Sequence, residues 1–561
     1  MKKVLLIQPP IHDFYFTFPR NYPLGLLYLG TVLKKEGFKV KILNALEEKK
    51  KITLKIPPQF SYLKRYYHPN LSPFKLFDNF YHFGMEWEKI EEIIKKENPQ
   101  IIGISSNFSC YFDTTSFLAN LIKKIDKRII VVVGGHFPTH APSLVLKDKN
   151  IDFVIRGEAE FSFLKFCKNI DKSLKNIEGL CYRTKKGIHL GEVALISNLD
   201  ELPNPDRSLI NCAAYKFKGK VFASLIASRG CIFRCKFCAI KTPFRKRKVE
   251  DILSEIKEAY MLGIRHFNFE DDNINLHPEF ERLLDLLLEN FIEKGKKIYI
   301  SFMNGVMGGF SKNILEKLIE CGLTHLDLSL VTAKKELRRK IERKEKKRDI
   351  FYVASYLSKR RIPVYVHFII GLPQQKFKDA LKDIIYLSKK NVFLGPSIFY
   401  PVIESKLFSE LKEKYGIREE DFIYFRSSCA YFDKDIPRDY IFFLFYLSRI
   451  INFIKEVMNR FNFDGKEFFS WLEKIAEKYK FEKGSFIASK KFDKFTIGAI
   501  LLKELVEKKK IYRILMRNGY EYKLEKEDFI PEKELEKIIR KGILINTLLQ
   551  NFKKIKNSVI L

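Results

Sequence analysis

Three cysteines fall within eight residues near the middle of the chain, at Cys231, Cys235 and Cys238. Thiolates are the usual protein ligands of iron–sulfur clusters, and a four-iron cluster normally takes four of them. The C-x3-C-x2-C spacing supplies three, so one iron would stay open to a small molecule. The loop directly follows an apolar segment, Val221–Ser228. The fold must therefore present this loop at the end of a buried strand, in a site suited to chemistry.

Two other interpretations of the cysteines are weaker. Zinc would need four ligands or an open catalytic site, usually with histidine, and no histidine lies between Gly230 and Arg265. Three structural cysteines would require a third of the nine in the chain to crowd into one loop. The other six are scattered and show no pairing pattern, so a disulfide framework is not expected. We expect a cytoplasmic protein, since the N-terminus lacks the pattern of a secretion signal.

The formal net charge of +34 raises the question of nucleic-acid binding. A nucleic-acid footprint is usually a clustered basic patch. Here the lysines are spread along the chain and mixed with glutamate, as in residues 47–51 and 342–347. Nucleic acid is therefore an unexpected partner, and no segment is long and apolar enough to cross a membrane.

Residues 1–165 alternate strand and helix signals, which predicts a doubly wound parallel sheet of Rossmann-like form. Ligands of such sheets bind beyond the carboxyl ends of the strands. The predicted strands cover residues 3–8, 40–44, 101–105, 129–135 and 153–157. The candidate binding residues that follow them are Ser105, Ser106, Gly134, Gly135, His136, Gly157 and Glu158.

Residues 166–220 have the hairpin and proline signals of a connector, and a second strand–helix series occupies residues 221–401. Six parallel strands with crossover helices predict a partial (β/α)6 barrel of TIM type, whose active site lies at the carboxyl ends of the strands. Residues 402–561 have helical periodicity and predict a mainly helical C-terminal region. The predicted barrel strands are Val221–Ser228, His266–Asp271, Ile298–Asn304, His325–Val331, Val364–Gly371 and Phe393–Tyr400.

Together with the cysteine motif, several short sequence segments resemble those of radical SAM (S-adenosylmethionine) proteins that carry an N-terminal cobalamin-binding domain. The N-terminal resemblance rests on Tyr22-Pro-Leu-Gly, Val133-Gly-Gly-His and residues 152–160. The Asp-x-His-x-x-Gly motif that gives cobalt a histidine in other cobalamin proteins is missing. His136 and His140 stay open as axial ligands, and a scaffold that has lost its ligand is an alternative.

The resemblance also implies roles at the mouth of the barrel. Many relatives end the fourth strand with an acidic residue, whereas this chain has Val331, so Ser329 or Thr332 would have to substitute. The three cysteines would hold a [4Fe–4S] cluster. Acidic and amide groups at the strand ends would hold the amino group of SAM, and other residues would lie beside its adenine. The implied SAM-binding residues are Phe237, Glu270, Asp271, Asp272, Asn304, Gly371 and Pro373.

The resemblance implies a cobalamin-dependent radical SAM enzyme. Reductive cleavage of SAM at the cluster would give a 5′-deoxyadenosyl radical, and methylcobalamin would methylate an unreactive centre of the substrate. The implied electron donor is of flavodoxin or ferredoxin type. Non-methylating ring closure and a corrin- or cluster-binding sensor are alternatives, and small-molecule, lipid and peptide substrates all remain open.

Overall fold

The computed structural model describes residues 2–344, 347–479, 485–488, 491–517 and 521–540. The last part of the predicted helical region, residues 541–561, lies outside the described residues.

The N-terminal region contains two sheets. Its strands are β1 (Lys3–Gln8), β2 (Ile11–Tyr15), β3 (Lys39–Asn44), β4 (Lys51–Leu54), β5 (Phe77–Phe83), β6 (Ile101–Ser105), β7 (Ile130–Gly134), β8 (Phe153–Ile155), β9 (Leu180–Thr184) and β10 (Gly187–His189). Its helices are α1 (Leu24–Lys35), α2 (Trp87–Glu97), α3 (Phe112–Ile125), α4 (His136–His140), α5 (Pro142–Val145) and α6 (Glu160–Asn169).

The larger sheet has the order β10-β9-β8-β7-β6-β1-β3, in which β3, β1, β6, β7 and β8 are parallel. The parallel strands follow the 2-1-3-4-5 order of flavodoxin-like sheets, whose switch point lies between the first and third strands. This confirms the predicted doubly wound sheet. The β9–β10 hairpin of the predicted connector pairs with β8 and extends it. The antiparallel sheet β2-β5-β4 was not predicted.

A partial barrel follows, as predicted. Its strands are β11 (Lys216–Phe217), β12 (Lys220–Leu225), β13 (Ser228–Arg229), β14 (Arg245–Lys246), β15 (His266–Phe269), β16 (Tyr299–Ser301), β17 (Leu326–Val331), β18 (Val364–Ile370) and β19 (Phe393–Ile398). Its helices are α7 (Val249–Met261), α8 (Phe280–Leu287), α9 (Lys312–Glu320), α10 (Lys335–Lys340), α11 (Lys347–Lys359) and α12 (Phe377–Ser388).

The six main barrel strands run parallel in two sets, β12-β15-β16 and β17-β18-β19. Two isolated parallel bridges, Ile300–Leu323 and Val306–Leu328, join β16 to β17 and make the wall continuous. The last strand, β19, would leave an open edge. Asn452 covers it, because its side chain accepts from the Leu394 N–H at 2.8 Å and donates to the Leu394 carbonyl at 2.7 Å.

The C-terminal region packs on this barrel edge and adds a small antiparallel sheet of three strands that was not predicted. Buried Lys455 donates to the carbonyls of Leu387 in the last turn of α12 and of Lys390 and Val392 in the segment that leads to β19. The elements are α13 (Lys406–Tyr415), α14 (Arg438–Phe461), α15 (Gly465–Lys478), α16 (Lys494–Lys508), α17 (Glu532–Arg540), β20 (Ser485–Ile487), β21 (Tyr512–Arg517) and β22 (Glu521–Lys526). None of the helices in the described ranges is long and apolar enough to span a bilayer.

A buried charge cluster joins the connector to the barrel. Glu255 on α7 accepts from Arg207 at 2.7 Å through one oxygen and from Arg247 at 2.5 Å through the other. All three side chains are almost completely buried. Attraction to the two guanidinium groups outweighs the cost of burial and lowers the pKa of Glu255. Removing the carboxylate would leave two uncompensated positive charges in the interior.

Candidate functional site

The cysteine loop lies where the sequence places it, after the first strand of the barrel. Strands β13 and β14 pair antiparallel and close the base of the loop. Gly230 precedes the first cysteine with a φ of +84°, and a Cβ there would lie 2.1 Å from the Pro243 carbonyl oxygen. Only glycine fits that position, so the chain can turn sharply from the ribbon into the cysteine motif.

The three cysteines are available as ligands. Cys235 is buried, while Cys231 and Cys238 are half-buried, and all three are free thiols. Burial raises the pKa of Cys231, and raises that of Cys238 to about 11, so iron binding would have to displace the thiol protons. Within the described ranges, no three His, Cys, Asp or Glu side chains converge on a single metal ion. A cubane fits this arrangement, because each thiolate binds a different iron.

The acidic turn after β15 divides its three side chains between two tasks. Asp271 is buried and points into the protein, where it accepts from the Ala227 N–H at 3.1 Å and from the Ser228 hydroxyl at 2.5 Å. Burial raises the pKa of Asp271 to about 7. Glu270 and Asp272 instead line a large cavity. The structure therefore places two of the three predicted acidic residues where a ligand could reach them.

That cavity lies between the N-terminal sheet and the barrel and has a volume of about 650 Å³. Gln8 and Ser105 line it from the carboxyl ends of β1 and β6, which is the switch point of the sheet. Gly230 and Ala239 line it from the two sides of the cysteine motif. The predicted residues that it brings together are Ser105, Gly134, Gly135, His136, Gly157, Glu158, Glu270 and Asp272.

Glycines shape the N-terminal wall of the cavity. A Cβ on Gly25 would meet nothing within 4 Å, and one on Gly134 would meet only the Ile155 carbonyl oxygen, at 3.7 Å. Side chains at these positions would therefore project into open space. Gly135 has a φ of +119°, and its Cβ would lie 2.7 Å from the Ser106 carbonyl oxygen. Bare backbone at the wall suits close approach of a broad, flat group such as a corrin ring.

Two histidines face this cavity from α4. Desolvation lowers the pKa of His136, against the opposing effect of nearby Asp272. Desolvation, aided by His136 and Lys241, lowers the pKa of His140 to about 4. Both imidazoles are therefore neutral at pH 7 and have the protonation state that a cobalt ligand requires.

Ion pairs that the sequence did not reveal connect the two halves of the site. Arg245 of β14 makes a two-pronged contact with Glu158, at 2.7 and 2.8 Å. Arg229 of β13 binds Glu160 at 2.6 Å. Glu158 lines the cavity, but its carboxylate is already bound by Arg245 at the base of the cysteine loop. These contacts hold the loop against the N-terminal sheet.

The remaining predicted residues lie outside the cavity lining. The Ser106 hydroxyl accepts from Thr115 at 3.3 Å. The Asn304 amide donates to the Glu270 carbonyl at 2.8 Å, and Gly371 lies against Ile441 of α14. Phe237 packs against an apolar cluster, and Pro373 is buried.

The fourth barrel strand ends irregularly at the position where relatives carry an acidic residue. The register of β17 shifts between Ser329 and Val331, and Val331 has a φ of +64°, a strained conformation for a β-branched residue. The Thr332 hydroxyl donates to Asp383 at 2.7 Å and is thus already engaged, whereas Ser329 is half-buried.

Sequence reasoning missed a group of polar residues on the barrel strands, Asp327 of β17 and His367 of β18 among them. Their signal is the alternation of polar and apolar residues within β15, β17 and β18, since a parallel strand buried on both faces would be apolar throughout.

Two family models match the chain. Residues 78–165 match the B12 binding domain, and residues 225–386 match the Radical SAM superfamily. The chain therefore carries a B12-binding domain followed by a radical SAM domain, as its sequence predicted.

Curated relatives and solved structures agree with this organisation. Cytidylyl-2-hydroxyethylphosphonate methyltransferase of Streptomyces wedmorensis is 27% identical over 477 residues, covering 75% of this chain and 84% of that protein. An uncharacterized methyltransferase of Pyrococcus horikoshii is 30% identical over 51% of this chain and 56% of its own length. The radical SAM methyltransferase TsrM from Kitasatospora setae shares the fold, with a TM-score of 0.58 at 16% identity over 74% of this chain and 76% of TsrM. The cobalamin-dependent radical SAM enzyme OxsB, with aqua-cobalamin bound, gives 0.59 at 14% identity over 100% of this chain and 84% of OxsB.

Proposed function

We propose that this chain, a radical SAM enzyme with a B12-binding domain, methylates an unreactive centre of its substrate at the mouth of its barrel. One observation carries the proposal. A single cavity touches the switch point of the N-terminal sheet, the acidic turn after β15 and both sides of the cysteine loop. A corrin on the sheet and SAM on the cluster would therefore share one cavity.

The chain's residues would divide the work by position. Cys231, Cys235 and Cys238 would hold the cluster, and Glu270 with Asp272 would bind the amino group of SAM. The bare backbone at Gly134 and Gly135 would carry the corrin. When bound, these cofactors supply a hydrogen-abstracting carbon radical and a methyl group. The protein orients them and excludes water, and no side chain need act as a general base.

The first test is anaerobic reconstitution with iron, sulfide and hydroxocobalamin, followed by gel filtration and a dithionite-driven assay for 5′-deoxyadenosine. We expect retained corrin absorbance and 5′-deoxyadenosine formation. Cys238→Ala should abolish the 5′-deoxyadenosine, whereas Cys321→Ala, at a buried cysteine outside the motif, should leave it unchanged. Cleavage without retained corrin would remove methyl transfer from the proposal, and a bound cluster with neither signal would favour a sensor.

Methyl transfer is tested with SAM labelled in its methyl group. Cytidylyl-2-hydroxyethylphosphonate, named for the Streptomyces relative, is the first acceptor to try, followed by a panel of hydroxylated and aminated metabolites. Label in a product from the wild type but not from Cys238→Ala would establish the transfer. Products that lack the label but have lost hydrogen would favour non-methylating radical chemistry.

We propose further that an acidic electron donor of flavodoxin or ferredoxin type docks beside the cysteine loop. Ile232 within the motif is 60% exposed, and Arg234 next to it is also exposed. The basic helix α10 lies alongside, since the Lys236 N–H donates to the Ile341 carbonyl at 3.0 Å, and it exposes Arg339 and Lys340. An apolar contact ringed by positive charge suits an acidic partner.

The docking surface can be tested without knowing the substrate. Arg234→Glu combined with Arg339→Glu should slow flavodoxin-driven 5′-deoxyadenosine formation at low salt by at least about tenfold. Dithionite-driven formation should not change, because a small reductant needs no docking. Arg128→Glu, at an exposed residue of the N-terminal region, is the matched control. Equal losses with both reductants would place the defect in the cluster rather than in docking.

The cysteines support a reducing compartment. All nine are free thiols, and five outside the motif are buried. We therefore place the enzyme in the cytoplasm, where an oxygen-sensitive cluster would also survive.

A further inference from the structure

The barrel strands bury an apolar face against the helices and turn a polar face inward. Phe267, Leu328 and Val366 belong to the apolar core that the helices cover. Their neighbours along the strands point the other way, as alternation in a strand requires. Barrels of this type usually fill their interior with branched apolar side chains. Here many inward positions are polar, although Phe222, Ile369 and Phe393 share the same face. The polar and small residues at inward positions are His266, Asn268, Ser301, Asp327, Ser329, Tyr365, His367, Gly395 and Ser397. We call this interior the barrel chamber.

The floor of the barrel chamber is closed and its polar groups are satisfied. The His266 ring bonds the Ser301 hydroxyl at 2.9 Å, and Ser301 donates to Asn268 at 3.0 Å. The Phe217 ring covers this end, with its centroid 5.4 Å from those of both His266 and His325. His266, Ser301 and Asn268 are all buried, at no more than 1% exposed, so none of them is accessible to a ligand. Ligand binding must therefore occur higher in the chamber, towards the cysteine loop.

An aspartate flanked by two histidines rises from the floor towards the mouth. His325 Nε2 lies 3.2 Å from one oxygen of Asp327, and His367 Nε2 lies 2.6 Å from the other. The exposed fraction of the side chains rises from 6% at His325 through 11% at Asp327 to 40% at His367. Burial would raise the pKa of Asp327, but the bonds from the histidines outweigh it and lower that pKa.

The charged carboxylate fixes the orientation of His367. A carboxylate only accepts hydrogen bonds, so Nε2 of His367 must carry a proton and donate. In the neutral ring Nδ1 then keeps its lone pair, and within the described ranges it makes no hydrogen bond. It lies over Gly395, where a Cβ would come within 2.4 Å of it. The missing side chain at position 395 makes room for the ring.

We propose that Nδ1 of His367 is the hydrogen-bond acceptor that binds the substrate in the barrel chamber, and that the substrate presents a hydroxyl or an N–H there. This inference rests on the proposed function. A site that supplies an oriented acceptor strongly rejects an analogue that lacks the donor, because the acceptor is then left unpaired. His367 is thus a specificity-determining residue, and Asp327 and Gly395 are its positioning residues.

The accessibility of His367 is tested by protein chemistry alone. The reconstituted enzyme without SAM is treated anaerobically with diethyl pyrocarbonate, and labelling of each histidine is followed by mass spectrometry. His367 should be labelled at least about ten times faster than buried His325, which reacts only through local opening. Exposed His189 in the same sample calibrates the reagent. Labelling of His367 no faster than that of His325 would overturn the proposal, whether or not the enzyme turns over.

Binding is tested with the acceptor from the methylation screen and its analogue that lacks the hydroxyl or N–H nearest the methylated carbon. The acceptor should protect His367 from labelling, and the analogue should not. In wild type, kcat/KM should favour the acceptor at least about 100-fold. His367→Gln and Gly395→Ala should reduce that ratio to within about tenfold. An acceptor without such a donor, or a ratio that survives His367→Gln, would overturn the proposal.

Discussion

The N-terminal sheet and the barrel are both built of parallel strands covered by helices, but they bury their strands differently. The N-terminal strands place alternate residues in two apolar clusters, one on each face, as with Leu5 and Leu6 of β1. The barrel strands place only one face in an apolar cluster and leave the other polar, as with Leu328 and Asp327 of β17. The sheet can therefore offer a ligand only its end, whereas the barrel can also offer its inside.

A carboxylate introduced into each region tests this difference most severely. Ile102→Asp in β6 should lower the free energy of unfolding by at least about 5 kcal/mol, because it buries an unpaired charge in an apolar cluster. Ser329→Asp in β17 should cost less than about 2 kcal/mol, since its side chain faces the polar chamber. Urea denaturation of both variants gives the comparison. Equal losses would show that the chamber is as apolar as the sheet.

The buried cluster around Glu255 tests whether the two regions unfold together. Glu255→Ala should lose about 3–5 kcal/mol, because Arg207 and Arg247 would remain buried without a counter-charge. Glu250→Ala on the same helix removes an exposed pair with Arg282 and should lose less than about 1 kcal/mol. Tryptophan fluorescence and far-UV circular dichroism should report one shared transition in urea. A transition that splits in wild type would show that the cluster does not couple the regions.

Two aspartates on opposite faces of the barrel wall give a pH test. Asp383 lies on α12, and burial raises its pKa to about 6, above the usual value of about 3.9 in an unfolded chain. The folded protein thus keeps a proton that the unfolded chain has lost between pH 4 and 6. The contribution of Asp383 to the free energy of unfolding is therefore fully present below pH 4 and is lost as the pH rises through 6.

Replacing this aspartate should remove the pH effect. We expect the stability of wild type relative to Asp383→Asn to fall by roughly 2–3 kcal/mol from pH 4 to pH 7. Urea denaturation at four pH values measures it. The stability of wild type relative to Asp327→Asn should instead rise over the same pH range, because the pKa of Asp327 is lowered in the folded protein. A stability difference between wild type and Asp383→Asn that stays constant across the series would contradict the assignment.

The smallest effect is expected from a single methyl group. Gly103→Ala in β6 would place its Cβ 2.9 Å from Leu6 and 3.3 Å from Phe163, and overpacking should cost about 1–2 kcal/mol. Gly395→Ala would place its Cβ 2.4 Å from Nδ1 of His367, so the ring must turn away from Asp327, and we expect a similar loss of about 1–2 kcal/mol. Thermal unfolding compares the two. A larger loss at position 395 would mean that His367 is held as tightly as a core residue.

Most of the scaffold could be predicted from the sequence, because strands and helices in both series have recognisable local patterns of apolar and polar residues. The order of the parallel strands follows from short crossovers, and the cysteine loop had to fall at a strand end. The side-chain assignments at the site were harder. Asp271 and Asp272 are adjacent in sequence, yet one supports the loop backbone and the other lines the cavity, because a strand end turns neighbours in opposite directions.

Contacts between distant segments could not be predicted at all. Arg245 and Glu158 are separated by 87 residues, and no local pattern pairs them. His367 and Asp327 were detectable in principle, because polar residues recur at every second position of an otherwise apolar strand. Their alternation indicates that the inner face of the barrel is polar, whereas the number of strands predicts only the barrel itself.

The Phe217 ring closes the lower end of the barrel chamber, and this affects the order in which ligands can bind. A ligand that enters through the mouth must pass the cysteine loop before it reaches the deepest groups, so the deepest ligand enters first and leaves last. If substrate reaches His367 and SAM lies above it on the cysteine loop, SAM that binds early would shut the substrate out. Turnover would then slow at high SAM concentration, and extra substrate would relieve the slowing.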